Sequence, residues 1–156
     1  MKALSVLQPW AHLIVVGAKR FETRSWKTDF RGPLLIHAGK SFSPAAQSLC
    51  QDEPFKNKLN IQNADQLTLG AIIGIAILED CIPTDSGRCE EWQQERHFGD
   101  FHLGRYAWKL KYPTPLAVSI PLRGTLGVFD VQDDIVNALP ENQRLIQGVL
   151  LKQQSR

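Results

Sequence analysis

The apolar and polar positions of the first 26 residues predict a strand, a short helix and a second strand. Residues 3–7 are mostly apolar and predict a short strand, and residues 9–16 carry apolar side chains at helical spacing. Pro9 suits the first position of this helix, and Gly17 suits the residue that ends it. Residues 20–26 then alternate as a half-buried strand does. The polar face of that predicted strand consists of Arg20, Glu22, Arg24 and Trp26.

The rest of the chain predicts further strands with helices between them. LLIHA (34–38) is typical of a buried strand, and the isoleucine-rich run LGAIIGIAILEDCIP (69–83), with two glycines, predicts a central strand. Residues 51–66 are polar without a clear period and predict a surface excursion, whereas residues 90–97 predict an acidic helix. Other predicted elements are a helix from Ser43-Pro44, a strand at 106–112, extended segments broken by Pro121, Gly124 and Gly127, and two C-terminal helices, the second from Pro140.

Strands of this length, separated by turns and interleaved with helices, indicate the α+β class. The architecture that fits them is a small mixed or antiparallel β-barrel decorated by short helices. A chain of 156 residues suits one domain that is large enough to bury a core. The hydrophobic content of 43% is that of an ordinary globular protein, which disfavours a disordered chain.

Composition also disfavours several classes of site and location. Cys50, Cys81 and Cys89 are odd in number and lack CxxC spacing, so we expect a reducing compartment rather than a disulfide framework. The four histidines form no metal signature, and we expect neither a metal nor another cofactor. No apolar run reaches the roughly 18 residues that a membrane helix needs, and the signal-like N-terminus lacks a convincing cleavage site. We therefore predict a cytoplasmic protein without a membrane partner, and its oligomeric state stays open.

The net charge of +2 hides an uneven distribution of charge. Residues 1–58 carry nine Lys and Arg against four Asp and Glu, residues 59–100 carry two against eight, and residues 101–156 carry seven against four. A protein that coats nucleic acid in general would be more basic overall. We therefore expect a bound anion to meet a local basic site, with most other charges on solvated faces.

Glu22 and Arg24 are two residues apart on the predicted polar strand face. At that spacing the side chains lie about 7 Å apart, which is within salt-bridge reach. If the face is buried, loss of one partner costs roughly 3–5 kcal/mol, whereas an exposed pair contributes at most about 1 kcal/mol. An ordinary exposed strand and a functional cleft both fit this pattern.

The N-terminal motif resembles that of a known domain family. The pattern Q-P-W-A-x-L-I-x-x-G-x-K-x-x-E-x-R-x-W, followed by R-G-x-L-L-I-H-A, is similar to the ASCH (activating-signal-cointegrator homology) domain. The segments GAIIGIAILEDCIP, YAWKL and PLRGTLGVF lie where such domains place a central strand, a later strand and a closing P-x-x-G-x-x-G segment. The motif residues are Gln8, Pro9, Trp10, Leu13, Ile14, Gly17, Lys19, Glu22, Arg24, Trp26, Gly32 and His37.

This resemblance implies a PUA-like fold over residues 1–131, with residues 132–156 as a C-terminal helical extension packed on the same domain. It also implies that the strand carrying the charged motif lines a cleft, with the apolar helix behind it. The implied site is Lys19, Glu22 and Arg24, flanked by Trp10 and Trp26.

Recognition of RNA, or of a modified nucleoside or nucleotide, is the first function that such a cleft suggests. Basic side chains would meet phosphates, tryptophan rings would stack on bases, and Glu22 would accept a hydrogen bond from an exocyclic amine. Trp10 and His37 also fit plain core packing. The candidate ligand-binding residues are Arg24, Trp26, Arg20, Arg31, Trp10 and His37.

A hydrolase is the alternative within the same family. Some short bacterial members deacylate N4-acylated cytidines with a lysine, a threonine three residues later and a distant glutamate. Lys19 matches the lysine, but position 22 is Glu, and Thr23 would point to the opposite strand face. Lys19 and Glu22 would then act as acid and base, on an amide or in a metal-independent ribonuclease.

A protein-interaction module is the third possibility. The acidic segment from Glu90 to Asp100 and the C-terminal helices would form its surface.

Overall fold

The computed structural model describes residues 1–155, so Arg156, the last residue of the predicted extension, lies outside the described part. Strands and short helices alternate along the chain, as the sequence predicts. In order they are β1 (Lys2–Val6), α1 (Trp10–Val15), β2 (Phe21–Arg24), β3 (Gly32–Ala38), α2 (Pro44–Leu49), α3 (Phe55–Leu59), a 3-10 helix (Ala64–Gln66), β4 (Ala71–Pro83), a second 3-10 helix (Cys89–Phe98), β5 (Tyr106–Pro121), β6 (Val128–Asp130), α4 (Asp133–Val136) and α5 (Pro140–Gln154).

The strands form one mixed sheet in the order β2-β5-β4-β3-β1-β6. β1 runs parallel to β3, and the other neighbours are antiparallel. Register shifts interrupt the long β4–β5 pairing, and such irregularities bend a sheet. The sheet accordingly curls into a half-barrel, which confirms the predicted α+β class and mixed barrel architecture.

Helix α1 lies against one face of the curled sheet. Ile14 and Val15 are buried there beside Trp108. The close approach depends on Gly74 of β4, because a Cβ at that position would lie 2.9 Å from both the Cβ of Val15 and the carbonyl oxygen of Thr114. The glycine in the central strand thus sets the distance between helix and sheet.

Helices α4 and α5 cover the other face of the sheet. Buried Asn142 bridges α5 to β5, because its amide donates to the carbonyl of Val118 at 2.8 Å and accepts from the N–H of Val118 at 3.1 Å. The buried apolar side chains that the helices contribute to the shared core are Val136, Ile146 and Val149. The C-terminal segment therefore packs directly on the sheet.

Residues 51–66 lie mostly at the surface, as predicted, but they also contain a helix that the sequence did not predict. They contain α3, whose Phe55 and Leu59 are buried against Leu13 and Phe98. Two apolar residues four apart in a five-residue helix are too few to produce a visible period in the sequence. The sequence therefore predicted the exposed position of the segment but missed the helix within it.

Two boundaries in the N-terminal motif also differ from the prediction. Pro9 lies one residue before α1 rather than at its first position. Strand β2 begins at Phe21, because the backbone N–H of Arg20 binds the carboxylate of Glu95. Within the described residues, no helix is long and apolar enough to cross a membrane.

Candidate functional site

A pocket lies where the edge strand β2 approaches the free end of β1. β6 pairs with β1 only from Lys2 to Leu4, which leaves Ser5 beyond the last pair. Arg24 of β2 reaches across and donates from Nη2 to the carbonyl oxygen of Ser5 at 2.8 Å. The pocket at this seam has a volume of about 360 Å³. Its lining residues are Ser5, Val6, Leu7, Trp10, Glu22, Thr23, Arg24, Ser25, Trp26 and Arg105.

A chain of three charged groups runs from the protein interior to this pocket. Nζ of Lys19 lies 3.3 Å from Oε2 of Glu22, and Nε of Arg24 lies 3.2 Å from Oε1 of Glu22. Glu22 and Arg24 line the pocket, whereas Lys19 is only 1% exposed and lies beneath them. The structure thus brings the three predicted residues together, but it places only two of them at the pocket surface.

The buried ammonium of Lys19 joins β2 to the end of the second 3-10 helix. It donates to the carbonyl oxygen of Phe21 at 2.5 Å and to that of Phe98 at 2.7 Å. Burial lowers the pKa of Lys19 below the usual lysine value, and the adjacent carboxylate of Glu22 partly opposes this shift. Its hydrogen bonds and its burial both make Lys19 part of the wall behind the pocket.

Two tryptophans contribute aromatic surface to the pocket. Trp26 is 37% exposed and packs edge to face on the fully buried Trp108, with ring centroids 4.7 Å apart. Trp10 makes a similar contact with Phe55 at 6.3 Å. Each ring is therefore fixed by an aromatic neighbour while it still lines the pocket.

The rim of the pocket is built by the segment that follows the second 3-10 helix. The N–H of Asp100 donates to the hydroxyl of Thr23 at 3.0 Å, and Nε of Arg105 donates to the carbonyl of Asp100 at 3.0 Å. A hydrogen bond from His102 is the main cause that lowers the pKa of the Asp100 carboxyl. Arg105 lines the pocket although it is far from β2 in sequence, and no motif marked it in advance.

His37 lies behind the pocket wall and is buried. Its Nε2 lies 2.8 Å from the carbonyl oxygen of Leu122, which can only accept, so Nε2 carries the proton. Nδ1 then accepts from the hydroxyl of Ser5 at 2.9 Å. His37 thus supports Ser5, whose carbonyl holds Arg24, and it does not line the pocket.

Gly124 packs against the His37–Ser5 pair, and an added methyl group should disturb it. A Cβ at Gly124 would lie 2.6 Å from Nδ1 of His37. We expect Gly124→Ala to lower the free energy of unfolding by about 1–2 kcal/mol, since the loop can shift only by breaking its contact with buried His37. Urea unfolding measures this change. Gly148→Ala is the matched control, because Gly148 has open space around it and lies within a helix that favours alanine. Equal stability of both variants would contradict the predicted contact.

The structure does not bring Arg20 and Arg31 to this pocket. Nε of Arg20 pairs with Oε2 of Glu95 at 3.0 Å, on the side of the second 3-10 helix. Arg31 lies 3.5 Å from Asp80 and lines a second, smaller pocket of about 170 Å³. Alternation suggested that Arg20 shares a face with Glu22, but Arg20 precedes the strand.

The acidic segment from Glu90 to Asp100 carries charges that are largely paired within the protein. Glu91 contacts Arg88 at 2.5 Å and Lys109 at 2.9 Å. These contacts join the segment to β5 and to its own neighbours. In the described part of the chain, no group of three or more His, Cys, Asp or Glu could hold a metal ion.

The fold and motif define the class of domain. The curled mixed sheet with short helices is consistent with the PUA-like superfamily. The chain belongs to the ASCH domain family, which matches residues 4–133. This confirms the resemblance noted in the sequence.

Comparison with known proteins gives relatives in sequence and in fold. The chain is 28% identical to human activating signal cointegrator 1 and 30% identical to the mouse protein, in each case over 138 residues that cover 85% of this chain. It spans only 22% of the length of those relatives. Crystal structures of two point mutants of ZmASCH from Zymomonas mobilis have TM-scores of 0.51 and 0.50 at 16% identity. They cover 94% of this chain, and the chain covers 96% and 94% of them. At that identity the structures show the shared fold alone.

Proposed function

We propose that the pocket recognises RNA, or a nucleoside or nucleotide, without turnover. One observation carries the proposal: aromatic rings of Trp10 and Trp26 line the same pocket as the charged pair Glu22 and Arg24. Rings of this kind stack on unpaired bases, and charged or polar groups bind base edges and phosphates. A volume of about 360 Å³ lies near the lower end of the range for small-ligand sites, roughly 300–1,000 Å³.

The charges around the pocket favour an anionic ligand. Arg24 and Arg105 line it, and their acidic partners are Glu22 and Asp100. Lys19 lies directly beneath Glu22 and adds a positive charge in its protonated state. A locally positive pocket attracts phosphate groups, and Arg105 at the rim is available for one of them.

The rim also has apolar side chains that an unpaired strand of RNA could contact. Leu7 lines the pocket and is 51% exposed, and Leu126 is 99% exposed. Leu126 precedes Gly127, where a Cβ would lie 3.7 Å from the ring of Trp26. An open rim of this composition allows nucleotides on either side of the bound base to continue along the surface.

Binding is favoured over hydrolysis by the placement of the groups that hydrolysis would use. The ammonium of Lys19 is buried and donates to two backbone carbonyls and towards Glu22. The hydroxyl of Thr23 already accepts a hydrogen bond from the backbone of Asp100. Lys19 is therefore buried away from the place where it would act as the acid beside Glu22, so Glu22 lines the pocket without that partner.

The first test is a titration monitored by tryptophan fluorescence. Addition of a mixed-sequence single-stranded RNA, or of a nucleoside monophosphate, should change the emission of Trp10 and Trp26. We expect Arg24→Ala to weaken binding at least about tenfold, because a charged hydrogen-bond donor is worth roughly 1.5–3 kcal/mol. RNA affinity should also fall steeply with added salt.

Arg88→Ala is the matched control for that substitution. Arg88 pairs with Asp80 and Glu91 but does not line the pocket. It should bind like the parent, and thermal unfolding should show that both variants are folded. Binding unchanged in folded Arg24→Ala would refute the proposed site. Cleavage of the RNA, or deacylation of N4-acetylcytidine on long incubation without metal, would refute recognition without turnover.

A further inference from the structure

The hydrogen-bonding capacity that remains on Glu22 restricts which base the pocket can select. This inference rests on the proposed function. A carboxylate only accepts hydrogen bonds, and its two oxygens offer about four lone-pair positions. Oε2 faces Lys19 and Oε1 faces Arg24, and no other donor among residues 1–155 contacts either oxygen. Each oxygen therefore keeps capacity for a further donor, and because Glu22 lines the pocket, a ligand bound there can supply it.

Arg24 supplies a donor beside those acceptors. Its Nε is buried next to Glu22 and is out of reach of a ligand, and its Nη2 donates to the carbonyl of Ser5. The side chain nevertheless lines the pocket, so the remaining N–H bonds of its Nη atoms are the ones available to a ligand. Along β2 the pocket therefore offers one cationic donor followed by two acceptors.

The surrounding charge decides what kind of donor can meet Glu22. Two cations, Lys19 and Arg24, already contact its carboxylate, and Arg105 lines the same pocket. A third cation at Glu22, such as an arginine or amine ligand, would be repelled by both neighbours. The complement of this carboxylate is therefore a neutral group with two adjacent N–H donors.

We propose that the pocket selects guanine. The Watson–Crick edge of guanine presents, in order, the O6 acceptor, the N1–H donor and the N2 amino donor. N1–H and N2–H would donate to the two oxygens of Glu22, and O6 would accept from Arg24. The protein thus presents the same sequence of donor and acceptors that cytosine presents to guanine, while Trp26 supplies a ring for stacking.

The other bases leave a mismatch at Glu22. Adenine and cytosine place an acceptor nitrogen next to their amino group, so that nitrogen would face the second carboxylate oxygen. Uracil has one N–H between two carbonyls, so with one carbonyl at Arg24 and the N–H at one carboxylate oxygen, the second carbonyl would face the other carboxylate oxygen. A buried acceptor opposed by another acceptor loses a hydrogen bond without compensation.

The test compares nucleoside monophosphates with the unmodified protein, by the same fluorescence titration. The affinity for GMP should be at least about tenfold higher than the affinities for AMP, CMP and UMP, since a bidentate base contact discriminates by roughly 5- to 150-fold. IMP, which lacks the N2 amine, should bind more weakly than GMP, and 1-methyl-GMP, which lacks N1–H, should lose the preference. Similar affinities for all four bases would overturn the guanine assignment and leave the proposed function intact. No binding of any nucleotide or RNA would overturn the proposed function itself.

Glu22→Gln tests the role of the carboxylate. The amide replaces one acceptor with a donor, so GMP affinity should fall about tenfold while AMP, CMP and UMP change less than about threefold. Glu91→Gln is the matched control, because Glu91 also contacts two cations but lies outside the pocket lining. A folded Glu22→Gln protein that keeps its guanine preference would overturn the assignment. The comparison of GMP, IMP and 1-methyl-GMP stands alone if that variant does not fold.

Discussion

Lys19→Met should lower the free energy of unfolding by about 3–5 kcal/mol, the usual cost of removing one partner from a buried ion pair. The methionine keeps most of the length of the side chain but removes its charge and its three N–H donors. The carbonyls of Phe21 and Phe98 then lose a donor, and Glu22 loses one of its two cations. Chemical denaturation measures the change. Lys27→Met is the matched control, since Lys27 is exposed and pairs with Asp29 at the surface, and it should change stability by less than about 1 kcal/mol.

The pH dependence of stability provides a second readout for Lys19. Burial lowers its pKa in the folded protein, whereas the pKa in the unfolded chain is near the ordinary value of 10.5. Between these two values the unfolded state holds more protons, so stability contributed by this group rises with pH. That rise should be present in the parent and in Lys27→Met and absent from Lys19→Met. A Lys19→Met protein as stable as the parent, with the same alkaline pH profile, would show that the ammonium does not join β2 to the 3-10 helix.

Local sequence patterns predicted the elements that carry many apolar residues. The run from 69 to 83 contains β4, and LLIHA ends β3, because long buried strands leave a continuous apolar signal. The short helix α3 left no such signal, since its two buried residues contact side chains from distant segments. Short elements that depend on tertiary packing are the ones that sequence patterns miss.

In the candidate site, too, the sequence predicted what neighbouring residues determine and missed what depends on residues far away in the chain. Alternation along β2 placed Glu22 and Arg24 on one face, and both line the pocket. The depth of Lys19 depends on the carbonyl of Phe98, and the contribution of Arg105 depends on its approach to β2 from another loop. Neither is encoded in residues near the motif, so the sequence indicated the strand but not which of its charges reach solvent.

Gly74→Ala should lower the free energy of unfolding by about 3 kcal/mol, at the upper end of the usual cost of overpacking. The added methyl would lie 2.9 Å from the Cβ of Val15 and from the carbonyl oxygen of Thr114. Gly74 lies in the middle of the central strand, paired on both sides, so the backbone cannot move away as a loop can. The strain should instead push α1 from the sheet, and nucleotide binding should weaken because Trp10 at the start of α1 lines the pocket.

A double-mutant cycle with Val15→Ala identifies the cause. Val15→Ala alone removes two methyl groups and should cost about 1.6 kcal/mol. The double variant should lose less unfolding free energy than the two single variants together, by about 1 kcal/mol or more. The reason is that the smaller side chain at position 15 makes room for the methyl at position 74. It should also recover part of the fluorescence response to GMP. Strictly additive stability changes, with no recovery of binding, would mean that the helix–sheet distance at Gly74 does not determine the position of the pocket wall.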